Sequence, residues 1–415
     1  MEQYGPDRLS AAQWAAIRRT MAGGRGALSR RSMLRATGAG ALMLGGPAAT
    51  SGCGIPPAKR EGEGVASHDH SAKENRVVFS NWTEYMDVSE DEKHYPTLEM
   101  FTRRTGIAVT YTADINDNVE FFGKIRPQLA AGRGTGRDLI CVTDWLAARI
   151  IRLGWAQKLD PSHLPNAFAN LSAPFRAPDW DPGRAYSYPW TGIPTVIAYN
   201  ARATGGRTVD SVSQLLDDPE LKGRVALLSE MRDTVGMTLL DLGKNPADFT
   251  DDDFDAALDR IQKAVDRKQI RRFTGNDYTA DLDKGDIAAC VAWAGDIVQL
   301  QSDNPDIRFA IPRVGYMLAS DDLLVLAQAR HKANAEQLID HYYRPPIAAR
   351  LAAYINYVCP VDGVRAELAR ISPSMADNPL ILPDAAMAAA SRAFRTLSAE
   401  EETVYEQKFA KLIGA

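Results

Sequence analysis

The chain has 415 residues, 45% of them hydrophobic and 24% charged, with a formal net charge of -5 and four cysteines. That length accommodates a leader and two domains of ordinary size, and the acidic balance argues against a nucleic-acid partner. No two cysteines stand in Cys-x-x-Cys spacing, so neither a metal site nor a redox motif is expected.

In chain order, the first signal is the run Ser29-Arg-Arg-Ser-Met-Leu-Arg35, with Arg30 and Arg31 ahead of an apolar Ala/Gly/Leu stretch ending at Thr50-Ser-Gly-Cys53. The arginine pair resembles a twin-arginine export signal, and the small-small-Cys ending resembles a lipobox whose cysteine is lipidated, although Thr50 departs from the usual Leu. Residues 36–50 are too few and too Gly-rich to span a membrane. The expected reading is therefore a leader over 1–53 with Cys53 as lipid anchor on the outer face of the cytoplasmic membrane. Residues 1–52 carry seven Arg against Glu2 and Asp7, a net +5, so the remainder of a chain of net -5 carries -10. Residues 54–75 lack apolar periodicity and read as a flexible tether, in which His68 and His70 are not expected to bind metal. Cys141, Cys290 and Cys359 lie in apolar runs, read as buried free thiols, with one disulfide among them left open.

From Arg76 the body alternates short β-rich runs with helical patterns, the signature of α/β layering. Arg76–Asn81 reads as a strand, Tyr95–Thr105 as a helix with Leu98 and Phe101 inward, Gly106 as its left-handed cap, and Ile107–Thr112 as the next strand. Val119–Ala131 then reads as a helix and Asp138–Thr143 as a buried strand. Two successive parallel crossovers imply a doubly wound sheet, whose ligands bind beyond the carboxyl ends of its strands. Those exits carry Asn81-Trp-Thr-Glu-Tyr85 and Thr143-Asp-Trp145. Any one of Trp82, Tyr85 and Trp145 taken alone is as well read as a core-edge aromatic. Grouped at neighbouring exits they point to a pocket, and their ring faces attract organic cations.

The strand with its Asn-Trp-Thr-Glu-Tyr exit, Phe101-Thr-Arg-Arg-Thr-Gly-Ile107, Arg137-Asp-Leu-Ile140 and Val291-Ala-Trp-Ala-Gly-Asp296 together resemble the spermidine/putrescine-binding proteins of ABC importers, from about residue 77 to the C-terminus. The resemblance implies a bilobed periplasmic-binding-protein-like α/β fold closing on its ligand, with lobe 1 over 76–197 plus 312–360 and lobe 2 over 198–311 plus 361–415. By position it implies a ligand set of Trp82, Thr83, Tyr85, Thr143, Trp145, Glu230, Asp233, Trp293, Asp296, Asp321 and Tyr357, with Asp322 the rival of Asp321. The chemistry is consistent: a fully ionised polyamine needs a carboxylate near each terminal ammonium, because an unpaired charge taken out of water is costly, and aromatic walls line the methylenes.

Two departures bear on the ligand. Ala319 stands where the family often has an aromatic, and Arg395 where it often has Gln. A guanidinium in the cleft repels a polyamine unless paired with Glu230, Asp233 or Asp321; the alternative is that Arg395 faces solvent. In the cleft it would favour a shorter diamine or an amine-carboxylate compound.

The expectation is thus a monomeric, non-enzymatic, extracytoplasmic receptor that binds a polyamine-like cation and delivers it to an ABC permease, with no cofactor, metal or nucleic acid. A sugar is the rival ligand for the same fold. The chain has no His-Glu-x-x-His or Gly-x-Ser-x-Gly, and no Gly-x-Gly-x-x-Gly follows its first strand. A carboxylate-based exported hydrolase is the rival class.

Overall fold

The computed structural model describes residues 68–89, 91 and 93–414. The leader, Cys53 and most of the expected tether lie outside the described residues.

The first unit runs β1 (Arg76–Trp82), α1 (Pro96–Thr105), β2 (Ala108–Ile115), α2 (Asn118–Ala130), β3 (Leu139–Thr143) and α3 (Asp144–Arg152). Local chemistry sets its boundaries. Pro96 opens α1, where a missing N–H costs nothing, and Gly106 ends it at φ 75°, its N–H bonded to the carbonyl of Thr102. Asp117 caps α2 by accepting from the N–H of Glu120 at 2.8 Å. β1 pairs in parallel with both β2 and β3, which is the doubly wound order expected.

Two long strands then carry the chain between lobes: β4 (Ser187–Asn200) and β9 (Tyr316–Val325). Residues 187–195 of β4 pair antiparallel with β9, and from Thr195 onward the strand pairs with β7 (Ala289–Trp293) and β8 (Ile307–Ala310). Lobe 2 completes itself with β5 (Val225–Leu228), α4 (Met231–Asp241), α5 (Asp251–Asp266), β6 (Ile270–Thr274), α6 (Tyr278–Lys284) and α7 (Ala294–Asp303). The strands form one mixed sheet in the order β2-β1-β3-β9-β4-β7-β5-β6. α8 (Lys332–Tyr342) and α9 (Pro345–Ile355) return to lobe 1, and α10 (Ala399–Ile413), opened by a Ser398/Glu401 capping box, ends the chain on lobe 2.

Alternation along β3 explains the core of lobe 1. Leu139 and Cys141 join Leu323 and Val325 in an apolar cluster with α8 and α9, whereas Ile140 and Val142 join Leu324 and Leu326 in a second cluster with Leu146 and Ile150 of α3. Both faces of the sheet are covered, as parallel strands require. Lobe 2 buries Val225–Leu228 and Ala289–Ala292 in its own core. The three internal cysteines are buried free thiols, and no described helix is long and apolar enough to cross a membrane.

Two expected boundaries move. Residues 68–75 are not all tether: the N–H of His70 bonds the carbonyl of Arg330 at 2.7 Å, Asp69 accepts from the N–H of Ala333, and Glu74 lies 3.1 Å from the buried His331, which also meets Asp138 at 2.9 Å. Polar side chains without apolar periodicity still find long-range partners, and periodicity does not report these. Nor does lobe 2 resume at 361. Val361, Val364, Leu368, Met375 and Ile381 pack in the lobe 1 core, and only from Leu380 does the chain join the lobe 2 core.

Candidate functional site

The carboxyl ends of β1, β3, β5 and β7 all open into one cleft of about 1290 Å³ between the lobes. Its lining includes all twelve residues singled out above: Trp82, Thr83, Tyr85, Thr143, Trp145, Glu230, Asp233, Trp293, Asp296, Asp321, Tyr357 and Arg395. Register does part of the positioning. Thr143 at the end of β3 lies opposite Asp321 on β9, and Thr195 on β4 lies opposite both Met317 and Trp293, at the point where β4 changes partners.

Three carboxylates are held by neutral donors. Asp321 accepts from the hydroxyl of Thr143 at 2.8 Å and from that of Tyr85. Asp233 accepts from the hydroxyl of Thr195 at 2.6 Å and from the indole N–H of Trp293 at 2.9 Å. Asp296, in the first turn of α7, accepts from the hydroxyl of Tyr278 at 2.5 Å and the amide of Asn276 at 2.9 Å. Among the described residues none of the three forms an ion pair with a Lys or Arg. Tyr357 is close enough to all three for their charges to raise its hydroxyl pKa, after burial, which is the larger cause. Asp322 points the other way, as strand alternation requires: it pairs with the buried Arg184 at 2.6 Å and accepts from Ser320. Asp321 lines the cleft and Asp322 does not.

The aromatics form a row. The Trp82 and Tyr85 rings are 6.4 Å apart and Tyr85 and Tyr357 6.0 Å apart, both pairs tilted. A tight local turn sets the first two. The buried Asn81 side chain accepts from the N–H of Trp82 and donates to the carbonyl of Tyr85, and Glu84 takes φ 61°, a left-handed conformation uncommon outside glycine. That turn exposes Thr83 and Glu84 at the cleft, where Glu84 adds to the field felt by Asp296.

A basic and acidic cluster lies at the other side. Glu230 caps α4 and meets the Nη1 of Arg232 at 3.4 Å, so the carboxylate expected to contact an ammonium already serves the arginine two residues on. Arg232 lies 4.6 Å from the centroid of the Trp145 ring and Arg149 lies 5.0 Å from it. Arg395 fits neither alternative drawn from sequence. It lines the cleft, yet pairs with Glu401 at 2.8 Å rather than with Glu230, Asp233 or Asp321, and its guanidinium stacks 4.3 Å from the Phe249 ring. A cation neutralised in this way neither repels an amine strongly nor recruits a carboxylate.

Burial dominates the electrostatics. Desolvation raises Asp233, Asp296 and Asp321 from the ordinary aspartate value to about 6, with Glu230 adding to the rise at Asp233, while the donors just named pull in the opposite direction. Asp144, the first residue of α3, is raised to about 7 by burial and then by Asp322. At Asp144 and Asp233 the charge of Arg232 works against the rise.

The comparisons with known proteins accord with this arrangement. Residues 97–383 match the family described as bacterial extracellular solute-binding protein. The chain belongs to that family. It is 27% identical over 316 residues to the spermidine/putrescine-binding periplasmic protein of Escherichia coli (strain K12), covering 76% of this chain and 85% of the relative. To the putrescine-binding periplasmic protein PotF of the same organism it is 28% identical over 333 residues, with the same coverages. The solved structure of a spermidine/putrescine ABC transporter substrate-binding protein from Streptococcus pneumoniae superposes with a TM-score of 0.70 at 20% identity, covering 81% of this chain and 98% of that one. The resemblance seen in the sequence motifs is thereby borne out, as is the bilobed α/β fold.

Within this solute-binding protein several cleft residues were not anticipated from sequence. Asp144 lies inside the quoted Thr143-Asp-Trp145 exit and Arg232 between the two named acids, so position alone could have drawn attention to both. Thr195, Tyr278 and Asn276 carry no such local signal; they reach the site through strand register and a separate helix.

Proposed function

We propose that this solute-binding protein captures a polyamine-like cation outside the cytoplasmic membrane and delivers it unchanged to an ABC permease. The observation that carries the reading is the set of the buried Asp233 and Asp321 and the half-buried Asp296, three carboxylates hydrogen-bonded only to neutral donors and contributed by both lobes. Burying a carboxylate without a cation is costly, and a diammonium ligand supplies the missing charge to both lobes at once. Binding to Asp321 on one side and Asp296 on the other favours the closed arrangement by the difference in affinity between closed and open states. Trp82, Tyr85, Trp293 and Tyr357 offer apolar walls to the methylenes and ring faces to the ammonium ends. The names of the relatives, spermidine/putrescine-binding and putrescine-binding, support the same ligand class.

The reading includes the anchor. An export leader ending at Cys53 puts the receptor on the outer face of the membrane, as a monomer held by lipid. Native mass spectrometry of the protein purified from its own envelope tests the ligand: the expected result is an adduct with the mass of an aliphatic amine, released on mild acidification. A neutral sugar or no adduct after reconstitution with amines contradicts the reading. Cys53→Ser tests the anchor and should move the protein from the membrane fraction to the soluble envelope or medium.

A further inference from the structure

The arginines that line the cleft are all committed. Arg184 pairs with Asp322, Arg395 with Glu401, and Arg152 and Arg232 with Glu402, which also takes Arg149. Around the Trp145 ring, Arg149, Arg152 and Arg232 thus meet Glu230, Glu402 and Glu406 at 3.0 to 3.8 Å, three guanidiniums against three glutamates. Asp144 is the carboxylate left over. It lines the cleft between Thr143 and Trp145, half-buried, and accepts only from the main chain, from the N–H of Trp145 at 2.6 Å and that of Ser320 at 3.4 Å. Among the described residues it forms no ion pair with a Lys or Arg. Burial and then Asp322 raise it to about 7, with Arg232, held by its own glutamates, pulling the other way. Local structure does not need the charge, because a neutral amide oxygen accepts from both N–H groups equally well.

We propose that Asp144 is a further ligand-binding residue, the carboxylate that takes an additional ammonium at the Trp145 end of the slot and so fits the cleft to an aliphatic triamine. The inference rests on the polyamine reading above and deepens it. With a diamine placed between Asp321 and Asp296, the next ammonium of a longer ligand needs an anion beyond Asp321. Asp144 adjoins Asp321 through both strands: Thr143, which donates to Asp321, precedes it in the chain, and Ser320, which precedes Asp321, donates its N–H to it. An ammonium drawn out of water without an anion is costly, and an ion pair with Asp144 offsets that cost because the guanidiniums nearby are already neutralised. Asp322, whose charge Asp144 feels, is not available, since Arg184 holds it at 2.6 Å.

Isothermal titration of putrescine and spermidine into wild type and Asp144→Asn near neutral pH, in buffers of different ionisation enthalpy, tests this. Asn keeps an oxygen for both N–H groups and removes the charge. The substitution is expected to lower the spermidine-to-putrescine affinity ratio by about tenfold, the loss of one charge-assisted hydrogen bond. A second readout needs only the wild type. An ammonium binds the ionised carboxylate, and Asp144 is raised to about 7, so spermidine should release more protons on binding than putrescine does; a residue that merely shapes the site gives no such excess. An unchanged ratio in the folded variant overturns the proposal, as does equal proton release by the two amines or a wild type that takes putrescine and not spermidine; each of these leaves the polyamine reading standing. A wild type that binds neither amine removes that reading and this one with it.

Discussion

Gly295 of lobe 2 lies directly under the ring of Tyr357 of lobe 1: a methyl group at this position would come within 2.4 Å of the ring. The Trp-Ala-Gly-Asp segment thus uses its glycine as a seat for the tyrosine that stands among Asp233, Asp296 and Asp321. Gly295→Ala should displace Tyr357 and hold the lobes apart, weakening amine binding by about tenfold or more, with a larger radius of gyration in small-angle scattering of the liganded protein. Unaltered affinity would mean that the ring yields without consequence.

The two lobe-spanning carboxylates give a second expectation. Asp296→Asn and Asp321→Asn should each weaken diamine binding by about 1–3 kcal/mol, the range for a charge-assisted hydrogen bond. Isothermal titration reads this directly, and an unchanged Kd removes the residue from the site.

The same substitutions should stabilise the empty protein. Asp296 and Asp321 are raised to about 6 in the folded state, so the folded form holds their protons more tightly than the unfolded chain. Their stabilising contribution is complete below the ordinary aspartate value near 4 and is lost as pH rises through 6. At pH 7.5 the ligand-free wild type carries the cost of two desolvated charges, and Asp321→Asn should raise its stability by about 1–2 kcal/mol. The gain should shrink toward pH 5, where wild type is protonated. Comparing variant with wild type at each pH cancels the opposite contribution of His341, whose burial lowers its pKa to about 4. Denaturant unfolding at both pH values is the measurement, and a gain independent of pH would contradict the electrostatic cause.

Ligand binding should follow the same titration with the other sign of benefit. An ammonium binds the ionised carboxylates, so affinity should fall by about tenfold or more between pH 7.5 and 5, and binding at pH 6 should release protons, read as a dependence of the calorimetric heat on buffer ionisation enthalpy. A pH-independent Kd would mean that these carboxylates do not meet the ligand.

Glu402 ties the lobes together outside the ligand set. It is 4% exposed and takes Arg149 at 3.2 Å and Arg152 at 3.0 Å from α3, and Arg232 at 3.1 Å from α4. Glu402→Gln leaves three partly exposed guanidiniums short of their buried anion and should cost about 1–3 kcal/mol in unfolding experiments. Glu400→Gln, an exposed position in the same helical turn, should change stability by less than about 0.5 kcal/mol.

Much of lobe 1 was legible because its signals are local. Gly106 as a helix cap and the apolar run Asp138–Thr143 as a buried strand each act within a few residues, and the strand exits follow from the parallel order. Trp82 and Thr143 follow from the strand exits and Asp296 and Asp321 from motif resemblance, whereas Tyr278 and Asn276, the donors to Asp296, come to the site through tertiary approach. Arg395 shows the limit most clearly: its partner Glu401 is only six residues away, yet nothing in the sequence says that the guanidinium turns toward that glutamate and Phe249 and away from the acids of the cleft. The segment 361–381 was assigned to the other lobe through the resemblance alone, which carries no information on which core its apolar residues enter.

The central claim is that the cleft is an amine site. Isothermal titration of the chain from residue 54 onward with putrescine, spermidine, a basic amino acid and a neutral sugar tests it most directly. The expected result is binding of putrescine, spermidine or both at about micromolar Kd or tighter, with no heat from the sugar. Binding of the sugar with none of the amines would contradict the account.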